Sequence, residues 1–595
     1  VPDELSEIPS RLTSTEKHST EENRANGRNR KVAFLLVGIR SRSLTVNEKI
    51  PEPRPTVGNA SGAPTATAVA SPQRNPGFPW FPAVTLALVA AGITAVQWQP
   101  ELERNLRAWA TAALGLLGTL LLLIWFLASS RFRARTRLVG LALVVLCGLA
   151  LKGSLRVDGT INGTGLPRLA WRGSHSSTTP PTASPADTAR NSVHAAALPG
   201  LEDSAQFLGP DRSGVLPVAR FSTNWSAQAP RELWRRPIGL GWSSFAVVSG
   251  RAWTQEQVGD DERVTCLDVA TGQTLWSHSE RTRFSEWQGG DGPRATPTIQ
   301  DGRVYAMGGT GILLCLDAAT GKLVWRRSVL EENGLSNLTW GTSSSPLIVD
   351  GLTVITGGRG SSAVLYAYRS SDGTPAWKSG EGDASYASPV LAMLAGRRVI
   401  LSNNAASLTA HDPATGRLLF NHAWGASKWP KASQPVVLAG DRVFVSAGYG
   451  VGCQIIQVTT GEAGSNGESG TLRAETAWKG ITMKTQFNSP ALRNGYLYGL
   501  DDGLLACVDA TTGRRIWKDG RFGSGQTLIV GDGIVVQNEN GTVHLCAASP
   551  DGFREFGSIA ALSSKTWNQP VAAGRYLLVR NDREAVCWEL PAAGR

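Results

Sequence analysis

A thirteen-residue pattern recurs along the C-terminal two-thirds of the chain: VTCLDVATGQTLW at 264–276, LLCLDAATGKLVW at 313–325 and LACVDATTGRRIW at 505–517, with a looser copy, LTAHDPATGRLLF, at 408–420. A second element lies upstream of each copy. It consists of a Ser-Pro-like pair, an alternating apolar run, a Gly turn and another alternating run. Anchored at the Pro or its replacement, this element occurs at Phe245, Pro297, Pro346, Pro389, Pro435, Pro490, Leu528 and Pro570. The eight anchors are 38 to 55 residues apart. Self-similarity at such a period constrains the architecture more than any local propensity does, because one unit of this size cannot bury its own apolar face.

Each unit reads as four short antiparallel strands. The Pro-led run and the run after the Gly turn alternate with period two. A third strand, such as LLCLD, ends at the Asp. The Ala-Thr-Gly segment then predicts a tight hairpin, in which Gly takes a positive φ and the Asp or Thr side chain bonds the turn amides. The fourth strand carries Trp276, Trp325, Trp377, Trp478 or Trp517, with Phe420 in one unit. Four-stranded sheets of this kind bury both faces by stacking radially into a closed ring. The expected fold is therefore all-β, an eight-bladed β-propeller over 204–595.

Closure has its own signature. The last unit, NQPVAAGRYLLVRNDREAVCWEL, ends after its third strand, while RELWRRPIG at 231–239 precedes the first unit as a spare fourth strand carrying Trp234. Pairing the two removes two sheet edges. Each blade Trp, Trp234 included, is expected to wedge between neighbouring blades.

The formal charge of +11 invites a nucleic-acid reading, but its distribution opposes one. Residues 1–203 hold 22 Lys/Arg against 14 Asp/Glu, and the other 392 hold 37 against 34, so the repeat region is close to neutral. The basic excess flanks apolar spans, where it sets membrane topology, and no nucleic-acid partner is expected. The 66 glycines and 32 prolines suit a turn-rich β protein. The seven cysteines match no zinc spacing. Cys266, Cys315 and Cys507 stand one or two residues before the repeat Asp, where a small buried hydrophobe belongs, and a disulfide to Cys453 is left open.

Upstream, residues 1–79 are polar and without periodicity, and read as a disordered cytoplasmic tail. WFPAVTLALVAAGITAVQW (80–98) and AWATAALGLLGTLLLLIWFLA (108–128) are uncharged and long enough to cross a bilayer. LVGLALVVLCGLAL (138–151) is shorter, and extending it to 155 with snorkelling basic ends brings it near to spanning. The membrane region is thus 80–152, with helices at about 80–98, 108–128 and 138–155. RFRARTR (131–137) is Arg-rich and expected to be cytoplasmic, whereas QPELERNLR (99–107) is balanced in charge. Three crossings then carry the propeller to the periplasmic, extracytoplasmic side of the inner (cytoplasmic) membrane. Residues 153–203, with SHSSTTPPTASPADTA, read as a Ser/Thr/Pro-rich linker.

The DxxTGxxxW repeats, the SPxxxxG strands and the lead-in QFLGPDRSGV at 206–215 resemble the PQQ-like (quinoprotein alcohol dehydrogenase-like) β-propeller repeat family over about 205–595. GYGVGC (448–453), YGLDDGLLACVD (498–509) and KTWNQPV (565–571) are similar to its membrane-tethered or exported, BamB-like members. The family includes quinone-dependent alcohol dehydrogenases, a propeller lipoprotein that assists outer-membrane protein assembly, and sensory domains. The dehydrogenase reading implies pyrroloquinoline quinone held by a Trp and adjacent cysteines, with a calcium ion. This chain has no Cys-Cys pair and no CxxCH, so PQQ and calcium enter only under that alternative, with Glu286, Asp501 and Asp502 as the carboxylates available. No catalytic or metal residue is assigned.

The binding reading rests on residues before each innermost strand, where a propeller opens its funnel: Trp242, Trp287, Arg294, Trp340, Tyr386, Trp429, Lys484, Lys565 and Trp567. Rings mixed with cations in a concave mouth suit protein, peptide or glycan partners. The sequence thus favours a membrane-anchored, non-catalytic binding or assembly scaffold. A quinoprotein dehydrogenase and a sensory propeller are the alternatives.

Overall fold

The computed structural model describes residues 80–99, 102–160, 164–173, 198–216, 221–359, 363–426, 429–461 and 471–593. The expected tail, 1–79, and the Ser/Thr/Pro-rich core of the expected linker, 174–197, lie outside the described residues.

Eight antiparallel sheets form the propeller, as the repeat predicts. Blades 1 to 7 span 246–280, 298–328, 347–379, 390–423, 436–480, 491–519 and 526–560, each with four strands in chain order from the inside outward. Blade 8 (571–589) supplies three strands, and its fourth is Arg231–Pro237 from before blade 1, with Cys587 opposite Trp234 and Val586 opposite Arg235. Burial follows the radial position. The second strand of blade 7, Gly533–Gln537, is buried at every residue, whereas the fourth strand of blade 3, Pro375–Ser379, is exposed or half-buried throughout.

The recurrent turn works by local hydrogen bonding. Asp317 Oδ1 accepts the Thr320 N–H at 2.9 Å and its hydroxyl at 2.7 Å. The same pairing occurs at Asp268–Thr271, Asp412–Thr415 and Asp509–Thr512. The Gly that follows Thr320 has φ +71°, a conformation that disfavours any Cβ.

That Gly serves packing as well. The Trp276 ring of blade 1 lies over Gly321 of blade 2, so that a Cβ there would fall 2.4 Å from the indole. Trp234 lies in the same way over Gly272, Trp325 over Gly373, Trp377 over Gly416 and Trp478 over Gly513. Three of these indole N–H groups also donate to the neighbouring turn: Trp234 to Val269 O, Trp276 to Ala318 O and Trp325 to Ser370 O, at 2.7 to 3.1 Å. Trp517 donates to Ser549 O of blade 7 at 2.9 Å. The cysteines fit this scheme. Cys266, Cys315, Cys507 and Cys587 pair across the strand with Trp276, Trp325, Trp517 and Trp234, so a small apolar residue makes room for each indole. All seven cysteines are free thiols, Cys453 among them.

The lead-in to the propeller forms a floor at the channel end away from the Trp-rich loops. Ser204 bridges Val247 of blade 1, and Val215–Leu216 adds a parallel fifth strand to the inner edge of blade 7. Between them Arg212 is buried in the channel. Its guanidinium donates to Ser345 O and Pro389 O at 3.0 Å each, to Pro346 O, and to Thr298 Oγ1 at 3.3 Å, joining blades 2, 3 and 4. The sequence pattern identified QFLGPDRSGV as a lead-in but not as a plug.

Among the described residues three helices precede the propeller: α1 (Trp80–Gln97), α2 (Arg104–Ala128) and α3 (Ala134–Ser154), each long and apolar enough to cross a membrane. The third starts four residues before the apolar run, because Ala134-Arg-Thr-Arg137 joins the helix, as good helix formers can. Immediately after α3, where a linker was expected, the strands β1 (Leu155–Thr160) and β2 (Pro167–Trp171) pair as a hairpin. Its two alternating runs are short and lie outside the repeat, so no period marks them in the sequence.

Candidate functional site

The loops entering the inner strands and those joining the second and third strands meet at one end of the ring. Their sequences are rich in rings and cations because no ladder constrains them. Trp242 and Trp567, from the loops before blades 1 and 8, have ring centroids 5.0 Å apart, and Phe487 lies 5.1 Å from Trp567. Lys565 Nζ sits 5.0 Å from the Trp242 ring and 4.2 Å from the Trp567 ring, a cation shared by two indole faces. Across the mouth Trp340 packs on Tyr386 at 5.5 Å, and Trp429 stacks on Tyr449 at 5.7 Å with the planes 8° apart. Six of the nine expected mouth residues therefore form three ring-based clusters.

The other three behave differently. Arg294 folds back onto its own loop, donating to Gly290 O and Gly292 O and covering the Phe284 ring at 4.4 Å. Burial lowers its pKa to about 10, with Glu262 and Asp291 opposing. Lys484 is buried against Asp501 at 2.9 Å and so faces away from any ligand. Trp287 stands on the rim, 54% exposed.

The carboxylates are held by cations. Asp501 is fully buried and meets Lys484, Arg515 and Lys518 at 2.8 to 2.9 Å. Burial pushes its pKa upward, but the lysines outweigh it and keep the group below the usual carboxylate range. Glu286 caps its own turn, accepting the Gln288 and Gly289 N–H groups at 2.9 and 2.6 Å. Among the described residues no three His, Cys, Asp or Glu side chains gather to hold a metal ion. A calcium-bound quinone needs carboxylate oxygens free for the metal. Asp501 has both oxygens on Lys and Arg side chains, Asp502 Oδ2 accepts the Arg104 N–H, and the propeller thiols are buried in strands. Asp501 is thus taken up by its own ion pairs and offers no free carboxylate oxygen.

An unforeseen group occupies one side of the mouth. Glu103, Arg104 and Arg107, at the N-terminal end of α2, reach onto blades 5, 6 and 7. Gly450 N–H donates to Glu103 Oε1 at 2.6 Å, and the Arg104 N–H donates to Asp502 Oδ2 at 2.7 Å. The Arg104 guanidinium donates to Ser524 Oγ at 2.8 Å and pairs with Glu539 at 3.4 Å, while Arg107 lies 3.9 Å from Asp502. Glu539 in turn accepts the indole N–H of Trp567 at 2.9 Å, linking the docked segment to the aromatic cluster. Burial raises the pKa of both Glu103 and Asp502, each opposed by hydrogen bonds and nearby cations. Nothing in QPELERNLR beyond its adjacent Glu and Arg signalled this docking.

The fold is thus a closed ring of eight like blades, with rings and a cation clustered at one end. Residues 260–519 match a PQQ-repeat family model described as outer membrane protein assembly factor BamB. Over those residues the repeats are of the PQQ-like β-propeller type. No curated protein sequence matches the chain. Among solved structures it is similar to BamB from Moraxella catarrhalis, at 14% identity over 62% of this chain and 99% of that one, with a TM-score of 0.45. It is also similar to the quinohemoprotein alcohol dehydrogenase from Comamonas testosteroni, at 12% identity over 68% and 82%, with a TM-score of 0.49. A third similarity is to the computationally designed Ika8 protein, at 11% identity over 60% and 100%, with a TM-score of 0.42.

Proposed function

We propose that this chain is a membrane-anchored scaffold whose propeller, on the periplasmic side of the inner membrane, binds peptide segments of partner proteins at its mouth without catalysing a reaction. One observation carries the reading. The mouth already holds a segment of this chain, Glu103–Arg104 where α2 opens, through a backbone N–H, two carboxylates and a serine hydroxyl. Those are the contacts by which an extended or turning acidic–basic segment is recognised. The neighbouring ring clusters supply apolar area for side chains on either side, and glycans suit the same stacked surfaces. The anchoring is supported by the three apolar helices, and the side of the membrane by the Arg131–Arg137 loop, which favours the cytoplasm.

The test uses the full chain in detergent and a fluorescent peptide of sequence QPELERNLR. Glu103→Ala/Arg104→Ala chain, with its mouth vacated, binds the peptide, and intact chain binds it at least ten-fold more weakly. Adding Trp340→Ala, Trp429→Ala and Trp567→Ala to the vacated chain weakens it again. Equal binding by all three chains overturns the reading. So does reduction of a redox dye with alcohols after addition of pyrroloquinoline quinone and calcium, which would establish the dehydrogenase instead.

A further inference from the structure

The hairpin after α3 is amphipathic in a way its surroundings do not explain. Leu155 pairs with Trp171 and Val157 with Leu169, which puts these four side chains on one face. Three of them are strongly exposed: Val157 at 49%, Leu169 at 58% and Trp171 at 63%. Arg156 pairs with Ala170 on the opposite face, and Arg168 shares that face by alternation. Arg172 follows directly, its guanidinium donating to Leu155 O at 3.1 Å.

The level of this ribbon is set at both ends. Its first residue, Leu155, follows the last residue of α3 without a linker, and Trp171 lies opposite it. From Leu138, after the last Arg of the cytoplasmic loop, to Ser154 the helix is about 26 Å long, close to the ~30 Å hydrocarbon layer, so Leu155 and Trp171 fall near the far edge of that layer. At the other end the Trp109 indole of α2 donates to Thr164 O at 3.0 Å, tying the turn of the hairpin to the second membrane helix. The hairpin therefore straps across the propeller-side ends of α2 and α3.

We propose that this hairpin is a lipid-binding element, lying in the outer headgroup region with Leu155, Val157, Leu169 and Trp171 against the acyl boundary and Arg168 and Arg172 among anionic headgroups. The occupant is a lipid surface because the apolar face begins where the hydrocarbon layer ends. Interfacial Trp and basic side chains with apolar stems are the residues that such a boundary accommodates. The inference rests on the anchoring proposed above, and the element fixes the height of the propeller mouth over the bilayer.

The test places an environment-sensitive fluorescent amino acid at one site at a time in the full chain, reconstituted in phosphatidylcholine–phosphatidylglycerol nanodiscs. Brominated lipids then quench according to depth. At position 143, inside α3, quenching is expected with bromine deep in the acyl chain, and at position 322, on an outer propeller turn, none is expected. Position 171 is expected to be quenched at least two-fold more by shallow than by deep bromine. Quenching at 143 without quenching at 171 overturns the hairpin proposal alone, as does a crosslink from 171 to a second copy of the chain. No quenching at 143 overturns the anchoring and the hairpin together. Since a probe at 171 alters the hairpin, Arg168→Gln/Arg172→Gln chain provides a second reading. It should retain several-fold less phosphatidylglycerol on purification, and unchanged retention counts against the proposal.

Discussion

His411 stands where other repeats carry Leu or Val, one residue before the turn Asp, and it is fully buried. Ser379 Oγ and Gly416 O lie 2.8 and 3.3 Å from Nδ1, and Thr409 Oγ1 lies 2.8 Å from Nε2. Burial lowers its pKa to about 4. The unfolded chain takes up the proton first as pH falls, so this contribution is complete above the ordinary imidazole value of ~6.5 and is lost towards pH ~4, a loss of roughly 3 kcal/mol. Thermal denaturation across that window should show a steeper acid loss for the native chain than for His411→Leu. Arg212 offers a second test at this scale. Arg212→Met strands carbonyls of blades 3 and 4 and should destabilise by at least about 3 kcal/mol, seen as a lowered denaturation midpoint. Unlike the blade tryptophans, neither role could be read from the repeat, since both residues depart from it or precede it.

At the scale of the element, the turn and the Trp strand of adjacent blades act as one joint. Gly321→Ala puts a methyl 2.4 Å from the Trp276 indole at a φ of +71°. Trp276→Ala should cost roughly 3–5 kcal/mol by loss of packing. Because the clash disappears with the ring, the double variant should be less destabilised than the sum of the singles, by roughly 0.5–3 kcal/mol. A double-mutant cycle followed by thermal denaturation measures it, and strict additivity would show that the ring and the glycine do not press on each other. The strands, the turns and the Trp positions were all legible beforehand, because each is a short-range pattern copied many times. The hairpin at 155–171 occurs once, and its alternation is too short to stand out from a Ser/Thr/Pro-rich neighbourhood.

For the whole molecule, closure is the decisive feature. The Arg231–Pro237 strand seals blade 8, and Arg580 reinforces the seam, donating to Thr254 Oγ1 at 2.7 Å, Gln255 O at 2.8 Å and Gly239 O at 2.9 Å. Deleting 231–237 leaves the Glu584–Glu589 edge unpaired, and an open edge recruits another. Size-exclusion chromatography in detergent should show the deleted chain as dimers and larger species at concentrations where the intact chain runs as a smaller one. An unchanged elution volume would mean that the seam is held without that strand.

Period, turn chemistry and the split last unit suffice, from the residues alone, for eight blades, their four-strand build and the joining of the chain ends. Each is a local pattern repeated or completed along the chain, and a ring of like units magnifies local patterns. The contents of the mouth depend on contacts that no period encodes. Glu103 and Gly450 are 347 residues apart, and Arg104 and Glu539 are 435 apart. Burial and ion pairing then sort the side chains that the loops bring to that end. They withdraw Lys484 and Asp501 into the wall and leave Trp429 with a face towards solvent, an outcome set by three-dimensional neighbours and not by position in the repeat.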